Sequence, residues 1–102
     1  MRIVSLDHPI CVEGVEFGSI TVKNPNERQR CDMARKRRTV AGFSYSQTIE
    51  IAAKLTAFGE VALRDLSAID YASLSLAIEE VFQAAVGRNA RYVEFLKRQA
   101  NA

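Results

Sequence analysis

The fold is decided by residues 70–87, which read DYASLSLAIEEVFQAAVG. Their apolar residues recur every three to four positions, the spacing of one face of an α-helix. Asp70 stands where an N-cap side chain accepts a hydrogen bond from a first-turn amide. Gly87 follows the last apolar residue, where a left-handed C-terminal residue costs least. The stretch predicts a helix whose apolar face comprises Tyr71, Leu74, Ala77, Ile78, Val81, Phe82 and Ala85.

A second apolar helical pattern covers residues 47–58, QTIEIAAKLTAF. Ser44 or Ser46 can cap its start, and the pattern stops near Phe58 and Gly59. Residues 60–69 then predict a short helical turn and a loop, with Ser67 or Asp70 as the next cap, so that the two long helices form a hairpin. The residues on the predicted apolar face of 47–58 are Ile49, Ala52, Ala53, Leu55 and Thr56.

Residues 2–23 predict a small antiparallel sheet of two or three strands. Their composition favours extended structure, and Glu13-Gly14 separates two β-rich runs as a hairpin turn would. Pro9 should interrupt or end the first strand, and Gly18 should mark a bulge in the return strand. Such a sheet is marginal alone, so we expect its apolar face to lie on the helices.

A polar helix should follow the sheet. Asn24 can cap it, Pro25 suits its first position, and Glu27 lies three residues after Asn24, as in a capping box. We expect this helix to begin at Pro25 and to end around Arg35 to Arg38, where the cations lie near the negative end of the helix dipole. The whole chain is then predicted to be a single α+β domain over residues 1–102. It consists of a β-hairpin region (2–23), a helical region (24–87) and a tail (88–102) able to form a short last helix.

Length and composition limit the class of protein. A chain of 102 residues with 48% apolar residues has the size and apolar content of one globular domain. No window approaches eighteen uninterrupted apolar residues, and the N-terminus lacks the long apolar core of a signal peptide. We therefore predict a protein that does not enter a membrane and acts in the cytoplasm.

The chain offers little for catalysis or metal binding. Its thiols, Cys11 and Cys31, and its single histidine, His8, provide three zinc ligands where a tetrahedral site needs four. Both thiols should be free in a reducing cytoplasm. His8 has no glycine-flanked nucleophile to serve, and the five glycines are dispersed, so no phosphate-binding loop exists. We expect neither an enzyme nor a cofactor.

Basic residues cluster between residues 28 and 38, where six of eleven side chains are cationic and Asp32 is the single acid. Clustered Lys and Arg attract phosphate backbones, which makes a small nucleic-acid-binding protein our alternative hypothesis. No aromatic residues are interleaved for base stacking, so a solvated helix end or contact with an acidic protein competes with it. The six residues are Arg28, Arg30, Arg35, Lys36, Arg37 and Arg38.

Short elements in a fixed order carry a resemblance over residues 3–85. They are Leu6 to Ile10 (Leu-x-x-Pro-Ile), Val12-Glu13-Gly14-Val15, Ile20 to Pro25, Ile51 to Thr56, Val61, Leu66, and Asp70 to Leu74. In order, spacing and chain length the sequence resembles the small tail assembly chaperones of long-tailed bacteriophages, found in Mu-like and related phages and prophages.

The resemblance implies an interaction protein without cofactor. Members of this family bind the aggregation-prone tape measure protein and help to recruit tail tube subunits, so both are expected partners. A helical hairpin with uncovered apolar surface can hold an amphipathic helix in a groove. The apolar faces that carry these residues are either the domain's own core, the commoner case, or a groove for a partner. If they form a groove, the predicted partner-binding residues are Ile49, Leu55, Phe58, Leu66, Tyr71, Leu74, Ile78 and Phe82.

Overall fold

The computed structural model describes residues 1–37 and 42–87. Two strands form one antiparallel hairpin and four helices follow, which confirms a small α+β fold. Within the described residues the hairpin gains no third strand. The predicted tail helix lies outside the described residues. The elements are β1 (Arg2–Val12), β2 (Val15–Val22), α1 (Glu27–Lys36), α2 (Tyr45–Leu55), α3 (Glu60–Arg64) and α4 (Ala68–Gly87).

The hairpin turns at Glu13-Gly14, as predicted. Both residues have positive φ angles, 52° and 79°, which is the backbone of a type I′ turn. Farther down the ribbon, residues 6–9 of β1 lie opposite Gly18 alone, because the paired residues change from Ser5–Ser19 to Ile10–Phe17. The interruption expected at Pro9 and the bulge expected at Gly18 are thus one irregularity, and β1 continues beyond it to Val12.

Helix α1 begins two residues later than predicted. Its N-cap is Asn26, whose side chain accepts a hydrogen bond from the Gln29 N–H at 2.8 Å. The Gln29 side chain in turn accepts from the Asn26 N–H at 2.9 Å. Because this reciprocal pair satisfies two end amides at once, it displaces the predicted pairing of Asn24 with Glu27. The helix ends at Lys36, before residues 38–41, which are not described.

Helix α2 has the second capping box, in which Ser44 accepts from the Gln47 N–H at 3.2 Å. This decides between the two predicted caps in favour of Ser44. Of the two residues predicted to cap helix α4, Ser67 and Asp70, the structure selects Ser67. The Ser67 hydroxyl accepts from the Asp70 N–H at 3.2 Å, and the Ser67 carbonyl accepts from the Tyr71 N–H at 2.8 Å. Asp70 is therefore free for another role.

The core lies between the hairpin and the helices. Residues from β1, β2, α2 and α4 bury their apolar side chains together, with Met33 and Ala34 from α1 and Leu63 from α3. Each fully buried aliphatic or aromatic side chain of this kind contributes about 1.5–3 kcal/mol of transfer free energy. The expectation that the sheet packs on the helices is confirmed by the burial of Val4, Ile20 and Val22.

Candidate protein-binding site

Five of the eight predicted partner-binding residues are core residues. Their side chains are at most 2% exposed, so a partner of the folded domain cannot touch them. For these five the structure supports the core alternative and not the groove, because periodicity identifies an apolar face without showing what covers it. Here β1 and β2 pack against α4, and α2 packs against α3 and α4. The five are Ile49, Leu55, Leu74, Ile78 and Phe82.

The other three, Phe58, Leu66 and Tyr71, are half-buried and pack against the core. Phe58 meets Phe17 of β2 edge to face, with ring centroids 5.1 Å apart. Tyr71 lies 4.9 Å from the ring of Tyr45 at the start of α2. Edge-to-face and tilted ring pairs add stability beyond buried area. These side chains therefore join elements of this chain, and each keeps only part of its surface for a partner.

A different apolar surface is open to solvent, along the line where β1 meets α4. Ile3, Ile69 and Leu76 are 66%, 61% and 62% exposed. A shallow space of about 300 Å³ lies between Ile3 and Leu76, with Ser73 in its wall. Ile3, Ser5, Ser73 and Leu76 line this space, and Ile69 extends the same face of α4 beyond it. We call the surface formed by these five residues the β1–α4 groove. Exposed large apolar side chains gathered in one place are typical of interaction surfaces.

Helical geometry brings the groove residues of α4 together. Ile69, Ser73 and Leu76 follow one another at spacings of four and three, so they share the face opposite to Leu74 and Ile78. At one end the groove is closed by an ion pair between Arg2 and Glu80, 3.4 Å long. The uncharged stretch between can receive apolar side chains of a partner.

Sequence analysis did not identify the β1–α4 groove. The sequence does contain one indication of it, because Ile69 and Leu76 are apolar residues that lie off the main apolar face of α4 and are separated by one heptad, about two helical turns. Ile3 carries no such signal, since alternation along β1 does not tell which side of the strand α4 will cover. A surface made by a strand and a helix distant in sequence requires the fold to be known.

Behind the groove, a buried carboxylate holds β1 on α4. Asp70 is 1% exposed, and its two oxygens accept hydrogen bonds from the backbone N–H groups of Asp7 (2.8 Å) and His8 (3.0 Å). The pKa of Asp70 is lowered, and the hydrogen bond from the Asp7 N–H is the main cause. Burial of the carboxylate raises the pKa in part, whereas the hydrogen bonds from His8 and Ser67 lower it further. These amides belong to the irregular part of β1, where β2 cannot pair them. Asp70 therefore anchors the strand that forms one wall of the groove.

The predicted basic segment is largely engaged within the chain. The Lys36 Nζ lies 3.0 Å from Asp32 and 2.7 Å from Glu50, which joins α1 to α2. Burial disfavours the charge on Lys36, but the hydrogen bonds to Glu50 and Asp32 prevail and raise its pKa. The hydrogen bond from Lys36 is likewise the main cause that lowers the pKa of Asp32 and of Glu50.

Arg37 also has partners within the chain. Its guanidinium lies 2.8 Å from a carboxylate oxygen of Glu79 on α4, and both side chains are largely covered. The same group lies over the rings of Phe43 and Phe82, 5.9 and 5.6 Å from their centroids. Such a guanidinium combines an ion pair with cation–π contacts and is not available to a phosphate.

The remaining members of the basic set differ in their surroundings, and Arg35 lines one surface depression with Lys36 and Asp32. Arg30 is half-buried and donates to the Pro25 carbonyl at 3.3 Å. Arg28 and Arg35 lie on the exposed side of α1, and Arg38 lies outside the described residues. The electrostatic footprint expected for nucleic acid is therefore weaker than the sequence suggests.

The described residues bear on the sequence predictions for the cysteines, for metal ligands and for membrane-spanning helices. Cys11 is exposed and Cys31 half-buried, and both are free thiols, as predicted. Over residues 1–37 and 42–87 no three His, Cys, Asp or Glu side chains come together in a way that could hold a metal ion. Among the helices described, none has the length and apolar character needed to span a membrane.

Comparisons with known protein families, curated protein sequences and solved structures find no match to this chain. The site must therefore be interpreted from its own geometry and from the order of its sequence elements.

Proposed function

We propose that the chain is a tail assembly chaperone of a long-tailed phage or prophage, which binds the tape measure protein in the bacterial cytoplasm. The order of sequence elements over residues 3–85 suggests the class. The observation that carries the binding role is the β1–α4 groove, which leaves Ile3, Ile69 and Leu76 more than half exposed. Partner binding would remove this apolar surface from water.

The shape of the groove favours an amphipathic helix as the bound segment. Ile69 and Leu76 lie seven residues apart, two turns along α4. A partner helix with apolar residues at the same spacing can lie along α4 and place them beside Ile69, Ser73 and Leu76. On the exposed face of α4 the residue between Ile69 and Leu76 is the uncharged Ser73, since Asp70 is buried on another side, and this suits the apolar stripe of such a helix. Tail tube subunits remain a second expected partner, with no residues assigned to them.

The nucleic-acid hypothesis has less support. Lys36 is paired with Asp32 and Glu50, and Arg37 is paired with Glu79, so two of its six cations are already neutralised. Binding of this kind would weaken steeply with salt, because released counterions drive it. A titration with duplex DNA at two salt concentrations distinguishes it from an apolar association.

The test is co-expression with the tape measure protein encoded by the same genome, followed by affinity purification in high salt. We expect a soluble complex with the natural chain and its loss with Leu76→Asp, which places a charge in the groove. Val61→Asp is the matched control, since Val61 is an 81% exposed apolar residue on α3, outside the groove. It should keep the complex.

The two parts of the proposal fail in different ways. If the natural chain does not retain the tape measure protein, the chaperone function is wrong. If Leu76→Asp retains it as well as Val61→Asp does, the function stands but the β1–α4 groove is not the binding site. Circular dichroism of both variants should match the natural chain, because both substituted side chains are exposed.

A further inference from the structure

Helix α1 is attached to the rest of the domain by few apolar side chains. Of its ten residues, Met33 and Ala34 are buried, and Cys31 is half-buried against the core. Helix α2 is one residue longer and buries five of its residues. Because burial of apolar surface is the main favourable contribution to folding, α1 is held on the domain less firmly by this contribution than α2 is.

Two surface depressions lie between α1 and α2. One, of about 410 Å³, has Met33 of α1 and Ile51 and Leu55 of α2 at its base. The other, of about 530 Å³, lies between Lys36 of α1 and Gln47 of α2. Side chains of closely packed helices interdigitate and leave no space of this size between them. The outer parts of α1 and α2 therefore do not pack on each other at these two places.

Charged side chains join α1 to α2 above this base. The Lys36 Nζ lies 2.7 Å from Glu50, and the Lys54 Nζ lies 3.6 Å from Asp32. The Gln47 side-chain amide also donates to the Lys36 carbonyl at 3.3 Å. We call Asp32, Lys36, Glu50 and Lys54 the charged cluster. Its four side chains are 20–51% exposed, so dissolved salt can screen the attraction between them.

Helix α1 is too short to persist once it leaves the domain. Isolated helices shorter than about 12–15 residues are marginal in water, and α1 has ten residues. Its capping box at Asn26 and its own ion pair between Asp32 and Lys36 favour the helix only slightly. Separation of α1 from the domain should therefore also break its backbone hydrogen bonds and let its amides exchange with solvent.

We propose that α1 is a latch, which opens as a unit while the β-hairpin, α2 and α4 stay folded, and that salt sets how often it opens. Few buried apolar side chains and partly exposed ion pairs mark α1 as a region of low local stability. Opening removes Met33 from Ile51 and Leu55, so apolar side chains that are 2% exposed in the closed chain become accessible. The inference does not depend on the chaperone function.

The first test is amide hydrogen exchange of the purified full chain, followed by NMR at increasing urea concentrations below the unfolding transition. We expect the amides of residues 31–36 to exchange with a weaker urea dependence than those of residues 74–82 in α4, because opening of the latch exposes less surface than unfolding does. The same urea dependence for both sets of amides would mean that α1 opens only when the whole domain unfolds, and would overturn the proposal.

Val4→Ala tests whether the rest of the domain stays folded when the latch opens. Val4 is a core residue of β1, outside the contact between α1 and α2. Its truncation destabilises the folded hairpin and α4, so exchange of the α4 amides should rise at least about fivefold. Exchange of the α1 amides should stay unchanged, because Val4 remains packed in the open state. An equal rise in α1 and α4 would overturn the proposal.

Lys36→Gln tests the charged cluster. It removes the ion pairs with Asp32 and Glu50, so exchange of the α1 amides should rise about fivefold at low salt. In the natural chain, about 0.5 M NaCl should produce a similar rise, and the variant should respond less to salt. Arg64→Gln is the matched control, since it removes an exposed ion pair with Glu60 inside α3 and should leave exchange of α1 unchanged. If neither salt nor Lys36→Gln changes exchange of the α1 amides, the cluster does not hold the latch.

Discussion

Gly42 is the glycine whose replacement should cost the most stability, for two separable reasons. Its φ is +88°, a conformation that side chains with a Cβ rarely adopt. A Cβ built there would also lie 2.7 Å from a carboxylate oxygen of Glu79. That carboxylate is held by Arg37 at 2.8 Å, so it cannot turn away without disturbing a largely covered ion pair.

Three alanine substitutions separate strain from close contact. Gly18→Ala introduces neither and should stabilise the chain by up to about 0.4–1 kcal/mol through the unfolded state. Gly14→Ala introduces left-handed strain alone, at φ +79° with no atom within 4 Å. Strain of about 1–2 kcal/mol then outweighs the unfolded-state gain.

Gly42→Ala adds the contact to the same strain. A hydrogen bond to a charged group contributes about 1.5–3 kcal/mol, and this value is the most that displacing Glu79 from Arg37 should cost. We therefore expect Gly42→Ala to lose about 1–3 kcal/mol more than Gly14→Ala. Urea unfolding followed by circular dichroism measures each difference. When Glu79 is first replaced by Ala, the loss in free energy of unfolding caused by Gly42→Ala should fall to the loss that Gly14→Ala causes in the natural chain.

Equal losses for Gly42→Ala and Gly14→Ala would refute this reasoning, because the contact with Glu79 would then cost nothing. An unchanged cost of Gly42→Ala in the Glu79→Ala background would place the conflict elsewhere.

Two further predictions concern the helix starts. Asp70→Asn should lower the free energy of unfolding at about pH 7, and this loss should become smaller in acid. The pKa of Asp70 is lowered by folding, so its charge stabilises the native chain above the pKa of the unfolded state, and this contribution is lost as the pH falls through the pKa of the folded state. Urea unfolding at about pH 7 and about pH 2.5 measures the loss, and a loss that does not change with pH would contradict the role of the charge. Ser44→Ala should cost about 1 kcal/mol as the cap of α2, whereas Ser46→Ala in the same turn should cost almost nothing; equal melting temperatures would contradict the capping box.

The parts of the fold that depend on neighbouring residues could be predicted from sequence. The turn at Glu13-Gly14 and the Ser44 cap both depend on residues a few positions apart. The start of α1 was misplaced because two Asn residues compete, and Gln29 decides for Asn26.

The role of Asp70 shows where prediction from sequence stops. As an acid before an apolar helical run it had the pattern of an N-cap, yet its partners are amides 62 and 63 residues away. The β1–α4 groove was not predicted for the same reason, since it joins a strand and a helix that are distant in sequence. Periodicity separates Leu74 from Leu76 on α4, but it does not show that β1 and β2 pack on the face of Leu74 and leave Leu76 exposed.

The anchoring of β1 by Asp70 has a consequence for how the chain is made on the ribosome. The hairpin is synthesised first, and its turn can close locally. The amides of Asp7 and His8 have no acceptor until residue 70 has been translated. Val4 and Ile20, which are buried in the finished domain, lack their helical cover over the same interval. The nascent hairpin therefore emerges with an apolar face uncovered, and final packing waits for α4 to leave the exit tunnel.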